Sequence, residues 1–455
     1  MRKSAALAGI VALYGCGAYG EGVNESMPVG ADQRQPNFVI MLADDLGYSD
    51  LGCFGSAMIQ TPHLDQLAEE GIRLTASYAG SALCSPSRTA LLTGRNPNRA
   101  GIYSYIAPNS PVHLRSDEVS IATLLKQAGY ETCLTGKWHL NGSLVSTRVT
   151  QPNDHGFDYW FSTAINAEPT HYNPKNFVRN GAPTGQLSGY SSHLVVDEAT
   201  DWLENIRDKG KPFFLYVPFH EPHRLLPAAD EMPADIMAMY PDESSIDWPE
   251  SGSRYYATVS NMDRATGRLL AKLDELDLSE NTLVMFLSDN GSWRDGSQVP
   301  LRGKKTQVYE GGIRTPGIIR WPGHTQAGSV SDEPICFVDF APTICQIVGL
   351  QMPSDRPIDG VSFLPMLQGK PIVRKAPLFW YFYKPHPECT LRQGERPGNI
   401  PGRERGDHEH REDQHNPRGH HVGMAMGFVA IDYEKDGCGL SARNAARMRY
   451  TSPVH

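Results

Sequence analysis

The sequence predicts an α/β fold with a mostly parallel central sheet and helices on both faces. Three observations carry this. Unbroken apolar runs at Phe38–Ala43, Pro212–Phe219 and Thr282–Ser288 read as strands buried on both faces. Segments with apolar residues at helical spacing alternate with those runs. Two of the runs end in Asp44-Asp45 and Asp289-Asn290, at the carboxyl ends where open α/β sheets bind ligands.

The chain starts with Arg2-Lys3 and a small, apolar stretch from Ala5 to Tyr14, the pattern of a secretory leader over 1–22. Leu13-Tyr14-Gly15-Cys16 is similar to a bacterial lipobox, which would make Cys16 a lipid anchor. After the first strand, Pro62 to Gly71 is amphipathic, with Leu64, Leu67 and Ala68 on one face. Next comes Cys84-Ser85-Pro86-Ser87-Arg88-Thr89-Ala90-Leu91-Leu92-Thr93-Gly94. Pro86 steers Ser85 away from the α region, and Ser87 suits an N-cap. A short helix over Thr89–Leu92 is therefore expected, with Cys84 on an extended approach to its start. Arg88 lies one turn further on. A nucleophile, a positive helix end and an Arg together suit attack on an anionic ester.

Ile121, Leu124, Leu125 and Ala128 repeat the helical pattern, and Gly129 suits its stop. The strand-like Glu131–Thr135 leads into Gly136-Lys137-Trp138-His139-Leu140, where alternation puts Lys137 and His139 on one face. Gln151 to Tyr190 is rich in Asn, Pro, Gly and aromatics without periodicity, and is expected as an irregular insertion that shapes substrate choice. Val195 to Ile206 is helical. The run from Pro212 ends in His220-Glu221-Pro222-His223. Tyr255 to Leu276 is the longest helix, with Leu269, Leu273 and Leu276 toward the core.

Adjacent carboxylates at Asp44-Asp45 repel unless a cation holds them. With Asp289 and Asn290 they offer four hard oxygen ligands, which suit Ca²⁺, or Mg²⁺ less comfortably. Later, Leu301-Arg302-Gly303-Lys304-Lys305 leads to Glu310-Gly311-Gly312-Ile313-Arg314-Thr315-Pro316. Pro385 to His421 reads as a solvated polar tail rather than a metal site, despite its histidines from His408 onward. Val422 to Ile431 reads as one last strand.

Of 455 residues, 40% are apolar and 20% charged, ordinary for a globular protein. The formal net charge of -9 argues against nucleic acid as a partner. Local cations, not the global field, must then attract an anionic substrate. No apolar run reaches the ~18 residues that span a bilayer. The eight cysteines show no C-x-x-C or zinc spacing, and their pairing cannot be read.

The segment from Cys84 to Gly94 has the form C-x-P-S-R-x-x-L-x-T-G, which resembles the signature of the type I sulfatases. The resemblance runs from Pro36 to Tyr381. It implies an alkaline-phosphatase-like α/β fold and hydrolysis of an organic sulfate ester. It implies that a maturing, formylglycine-generating enzyme oxidises Cys84 before folding to formylglycine, whose hydrate is the nucleophile. By resemblance, Asp44, Asp45, Asp289, Asn290 and position 84 hold the metal. Lys137, His139, His223 and Lys305 contact the sulfate with Arg88, His220 faces the leaving group, and Asp289 accepts the nucleophile's proton. The substrate is expected to be a sulfated carbohydrate or aryl sulfate. A phosphonate or phosphodiester hydrolase of the same superfamily, or an inactive binding protein, are the rivals. A catalytic domain is expected over 36–376. An incomplete C-terminal subdomain over 377–455, with its small sheet truncated, follows. The protein is expected to be exported, to the periplasm or outside the cell.

Overall fold

The structure is a computed structural model and describes residues 35–240, 252–293, 295–382, 427–432 and 447–450. The leader with Cys16, and the polar tail with its histidines, lie outside the described residues. Strands β1 (Asn37–Asp44), β2 (Ile72–Leu74), β3 (Ser77–Tyr78), β4 (Glu131–Lys137) and β5 (Tyr159–Thr163) come first. Then follow β6 (Val178–Arg179), β7 (Ala182–Pro183), β8 (Phe213–Pro222), β9 (Thr282–Ser288) and β10 (Gly317–Arg320). The last are β11 (Ser329–Ser331), β12 (Ile335–Cys336), β13 (Leu378–Phe382), β14 (Gly427–Asp432) and β15 (Arg447–Tyr450). The helices are α1 (Pro62–Glu69), α2 (Cys84–Thr93), α3 (Ile121–Gln127), α4 (Ser191–Asp201), α5 (Ala234–Met237), α6 (Gly252–Glu275), α7 (Glu310–Ile313), α8 (Phe340–Ile347) and α9 (Leu364–Leu367).

Among the described residues, one ten-stranded sheet runs β11-β2-β10-β9-β1-β8-β4-β5-β6-β7. Its centre, from β9 through β1, β8 and β4 to β5, is parallel throughout, and β10 is antiparallel to both neighbours. The apolar runs of β1, β8 and β9 are buried along their whole length. Alternate residues of β1 serve two cores. Phe38, Ile40 and Leu42 pack with residues of α2, α3 and α8, whereas Val39, Met41 and Ala43 pack with α1, α4 and α6. Helices thus cover both faces, as the continuous hydrophobicity requires.

Three expectations are corrected. The signature helix begins at Cys84 rather than Thr89, with Leu83 as its N-cap residue. Pro86 is its third residue, where a missing N–H leaves no helical bond unmade. Ser87 is inside the helix, and its hydroxyl accepts the Gly80 N–H at 3.0 Å. The stretch from Gln151 to Tyr190 is not irregular throughout: β5 pairs in parallel with β4. After β14 the chain adds β15, so β13, β14 and β15 form a three-stranded antiparallel sheet. The five cysteines at 53, 84, 133, 336 and 345 are all free. No helix among the described residues is long and apolar enough to cross a membrane.

Candidate active site

Parallel strands deliver their carboxyl ends to one edge of the sheet. In the β1–β9 ladder Ala43 lies opposite Ser288, so Asp44-Asp45 and Asp289-Asn290 leave adjacent strands side by side. The turn after β1 holds Asp45 at a left-handed φ of 67°. The Asp45 N–H donates to Asp289 Oδ1 at 3.3 Å, and Asn290 Nδ2 donates to Asp45 Oδ1 at 2.6 Å. Lys137 ends β4. Gly136 before it has φ +132°, and a Cβ there would come within 1.9 Å of the Pro218 carbonyl oxygen. Only glycine lets β4 lie that close to β8 while turning Lys137 inward.

Helix α2 brings Cys84 to these strand ends. The Cys84 thiol lies 3.4 Å from Asp44 Oδ1 and 3.9 Å from Asp45 Oδ1, with Lys305 Nζ at 3.5 Å. Burial, then the Asp44 charge, raises the thiol's pKa far above its usual range. Unmodified Cys84 is therefore a poor thiolate. Arg88, on the next turn, is fully buried. Its fork gives two bonds to Asp289 Oδ2 at 2.8 and 3.0 Å and one to the Lys137 carbonyl at 2.7 Å.

Three carboxylates thus face three cations. Lys137 Nζ lies 2.5 Å from Asp44, and Lys305 Nζ 2.6 Å from Asp45. Burial opposes the charge on Asp44, but Lys137, His223, Arg88 and Lys305 outweigh it and hold that carboxyl well below its usual range. Asp289 goes the other way: burial and the neighbouring Asp44 charge raise it to about 7, against the pull of Arg88. Burial also works against the Lys305 ammonium, yet Asp45, Cys84 and Asp44 raise its pKa.

Burial is the main cause that lowers the pKa of each of the three histidines. His139 sits just past β4, with Nε2 3.0 Å from the Ile106 carbonyl. A carbonyl only accepts, so Nε2 carries the proton and the buried Nδ1 keeps a lone pair without a partner. His220 lies on β8, its Nε2 2.7 Å from Thr163 Oγ1 and its ring edge on Phe177. His223 follows β8, with Nε2 3.4 Å from Asp45 Oδ2.

A hard cation fits this donor set. Asp44, Asp45, Cys84 and His223 bring one ligand atom each within 4.8 Å of one another. Asn290 Oδ1 is buried without a partner while its Nδ2 is occupied, so an acceptor stands ready. His223 belongs to the tight group, whereas Asp289 joins it through Asp45 and Arg88. These contacts join Asp44, Asp45, Cys84, Arg88, Lys137, His223, Asp289, Asn290 and Lys305, whereas His139 and His220 bond to Ile106 and Thr163 instead. Asn166, which no motif marks, was missed. Its Oδ1 is 2.8 Å from Lys137 Nζ and its Nδ2 3.1 Å from His223 Nδ1.

Fold and site together define an enzyme of anionic-ester chemistry, and comparison with known proteins gives the family. The family model described as Sulfatase matches residues 36–350, and the chain belongs to the sulfatase family. The chain is 34% identical over 391 residues to the N-acetylgalactosamine-6-sulfatase of Rattus norvegicus, covering 78% of this chain and 70% of that protein. It is 32% identical over 422 residues to the steryl-sulfatase of Rattus norvegicus, covering 73% and 70%. The crystal structure of Ps i-CgsB in complex with k-i-k-neocarrahexaose superposes with a TM-score of 0.70 at 30% identity, over 77% of this chain and 80% of that one. The chain is a sulfuric ester hydrolase on the alkaline-phosphatase-like fold.

Proposed function

We propose that the chain hydrolyses sulfate esters of carbohydrates, with formylglycine at position 84 and Ca²⁺, or less favourably Mg²⁺, beside it. The observation that carries this reading is the Cys84 side chain, at a helix start, within 3.4 Å of Asp44 and 3.5 Å of Lys305. The carbohydrate class is supported by the N-acetylgalactosamine-6-sulfatase and by the neocarrahexaose complex of Ps i-CgsB. When present, the hydrated aldehyde supplies the nucleophilic hydroxyl, and a cation held by Asp44, Asp45, Asp289 and Asn290 supplies positive charge at the sulfuryl oxygens.

The remaining work belongs to side chains. Arg88 and Asp289 lock each other, which fixes Asp289 where it accepts the attacking hydroxyl's proton. Lys137 and Lys305 present ammonium groups to the sulfuryl oxygens and stabilise the charge that grows there. His223 or Lys305 delivers a proton to the leaving oxygen. His139, through the free lone pair on Nδ1, takes a proton during release of sulfate and restoration of the aldehyde. His220 lies beneath this layer and keeps the leaving-group side in place. The reading extends to the chain's organisation: a leader over 1–22 with Cys16 as lipid anchor, a catalytic domain over 36–376 and a C-terminal subdomain over 377–455. Such a protein is exported and meets its maturing enzyme before it folds.

The test is turnover of matured protein on aryl sulfate and on aryl phosphodiester. Faster sulfate hydrolysis is expected, lost on chelation and regained with Ca²⁺. Cys84→Ala should abolish it with the fold intact, because a methyl offers no hydrate. Mass spectrometry of the peptide around position 84 should find aldehyde. Full activity with only unmodified thiol, or faster phosphodiester turnover, refutes the reading.

A further inference from the structure

The loop from β9 to α7 carries Arg302-Gly303-Lys304-Lys305, and its cations divide between inside and outside. Lys305 is buried, with Nζ 3.5 Å from Cys84 Sγ. Arg302 and Lys304 are exposed. The backbone around them is fixed. The Arg302 carbonyl accepts the Gly311 N–H at 2.7 Å, and the Lys304 carbonyl accepts the Gln307 N–H at 3.0 Å. The Lys305 N–H donates to the Ser292 carbonyl and the Thr306 N–H to the Ala82 carbonyl, both at 3.0 Å. Ala82 precedes Cys84 and Ser292 follows Asn290, so the loop is pinned to both segments that carry the site.

Arg302 is held ready to bind. Its guanidinium lies over the Tyr309 ring, 4.1 Å from the centroid, and Nη2 donates to the Tyr309 hydroxyl at 3.2 Å. That stack sets the plane of the fork and leaves its other N–H groups unused by the described residues. Among the described residues neither Arg302 nor Lys304 has a countercharge. Cations nearby do have one. Lys305 has Asp45 at 2.6 Å, Arg314 has Glu310 at 2.9 Å, and Arg224 has Asp295 at 3.0 Å. In a chain of net charge -9, two uncompensated cations this close together are a local exception. A guanidinium fork matches a sulfate or carboxylate with two bonds, and an ammonium beside it adds a point charge. The three residues from Arg302 to Lys305 span at most about 11 Å of chain, so both outer cations stand within reach of the sugar whose sulfate meets Lys305, or of its neighbour.

We propose that Arg302 and Lys304 form an outer subsite that binds a second oxyanion of the substrate, a sulfate or carboxylate on the same sugar or the next one. The natural ester is then a polyanionic carbohydrate. This rests on the sulfatase reading above.

The test compares matured wild type, Arg302→Gln, Lys304→Gln and the double variant. The substrates are 4-nitrophenyl sulfate and three disaccharides with the same sulfate ester: one with no other charge, one with a second sulfate and one with a uronate carboxylate. Wild type should show a kcat/KM about 10–50-fold higher on at least one dianionic sugar than on the singly charged one, the range for charge-assisted hydrogen bonds. The sugar that gains identifies the oxyanion. The double variant should lose that advantage through KM, because the outer contact is the same in ground and transition states, and should change less than about twofold on the other two substrates. Salt at about 0.5 M should shrink the wild-type preference, as exposed charges require. No preference for either dianion, a preference that the double variant keeps, or an equal loss on 4-nitrophenyl sulfate overturns the proposal. If variants at Arg302 do not fold, Lys304→Gln alone serves, because the Lys304 ammonium makes no hydrogen bond or ion pair among the described residues. It should lose about 3–10-fold on the preferred dianion only. Wild type that hydrolyses no sulfate ester, 4-nitrophenyl sulfate included, refutes the functional reading itself.

Discussion

Lys137 and Lys305 each neutralise a buried carboxylate, Asp44 and Asp45 respectively. Lys137 is fully buried. Lys305→Ala should lower kcat/KM about 10²–10³-fold, as for loss of one preorganised donor. Lys137→Ala should do the same and also destabilise the fold by roughly 3–5 kcal/mol, because Asp44 loses its closest countercharge. Added Ca²⁺ should raise the Tm of Lys137→Ala more than that of wild type. An equal rise in both would argue against a cation at Asp44. A second residue sets a pH dependence away from the site. Asp263, on α6, accepts the His63 and Leu64 N–H groups at the start of α1, at 3.2 and 2.8 Å. Burial raises its pKa from 3.8 to about 7 against those bonds. The folded chain then binds a proton more tightly than the unfolded one, so this contribution is fully present below pH ~4 and is lost as pH rises through ~7. Asp263→Asn should flatten the stability slope over that interval, measured by urea unfolding at several pH values. A slope unchanged from wild type would remove Asp263 as its source.

At the scale of elements, the site depends on how close strands and turns approach. Gly136→Ala should cost at least ~2 kcal/mol, because an Ala at φ +132° is strained and its Cβ meets a backbone oxygen. Chemical denaturation would show it, and wild-type stability would mean that β4 can move off β8. Strand ends were the legible part of this protein. Asp44-Asp45, Asp289-Asn290, Lys137 and His223 each follow an apolar run, and parallel pairing brings such ends together without further information. The start of α2 was misread because a rule about residues before proline was applied where the first helical turn suspends it. Strand β5 was hidden because Tyr159-Trp160-Phe161-Ser162-Thr163 is too short and mixed to alternate. Asn166 carries no signal at all, since its contacts arise only where two strand ends and one loop meet.

At the scale of the whole molecule, β13 is tied to the main body through Trp380, Leu378 and the Phe379 carbonyl, which accepts from Asn96 Nδ2 at 3.2 Å. Trp380 is 1% exposed, gives its Nε1–H to the Ala79 carbonyl at 2.7 Å, and lies 5.3 Å from the Tyr78 ring. Trp380→Ala should cost ~3–5 kcal/mol, the range for emptying a buried aromatic site. A Tm within a degree of wild type would show that the body stands without β13. Helix α2 has a related dependence on distant chain. Its inner side packs against the 3₁₀ turn Phe337–Asp339 and against α8, roughly 250 residues beyond Cys84. Until that stretch is made, the helix that carries Cys84 has no finished wall. At ~5–20 residues per second of synthesis, about 10–50 s pass between the appearance of Cys84 and that of α8. Under the formylglycine proposal, that interval is a clock. A maturing enzyme must find a nascent, still accessible cysteine within it, since Cys84 ends 2% exposed. Slower translation of the second half of the gene should therefore raise the fraction of active molecules without any change in the protein itself.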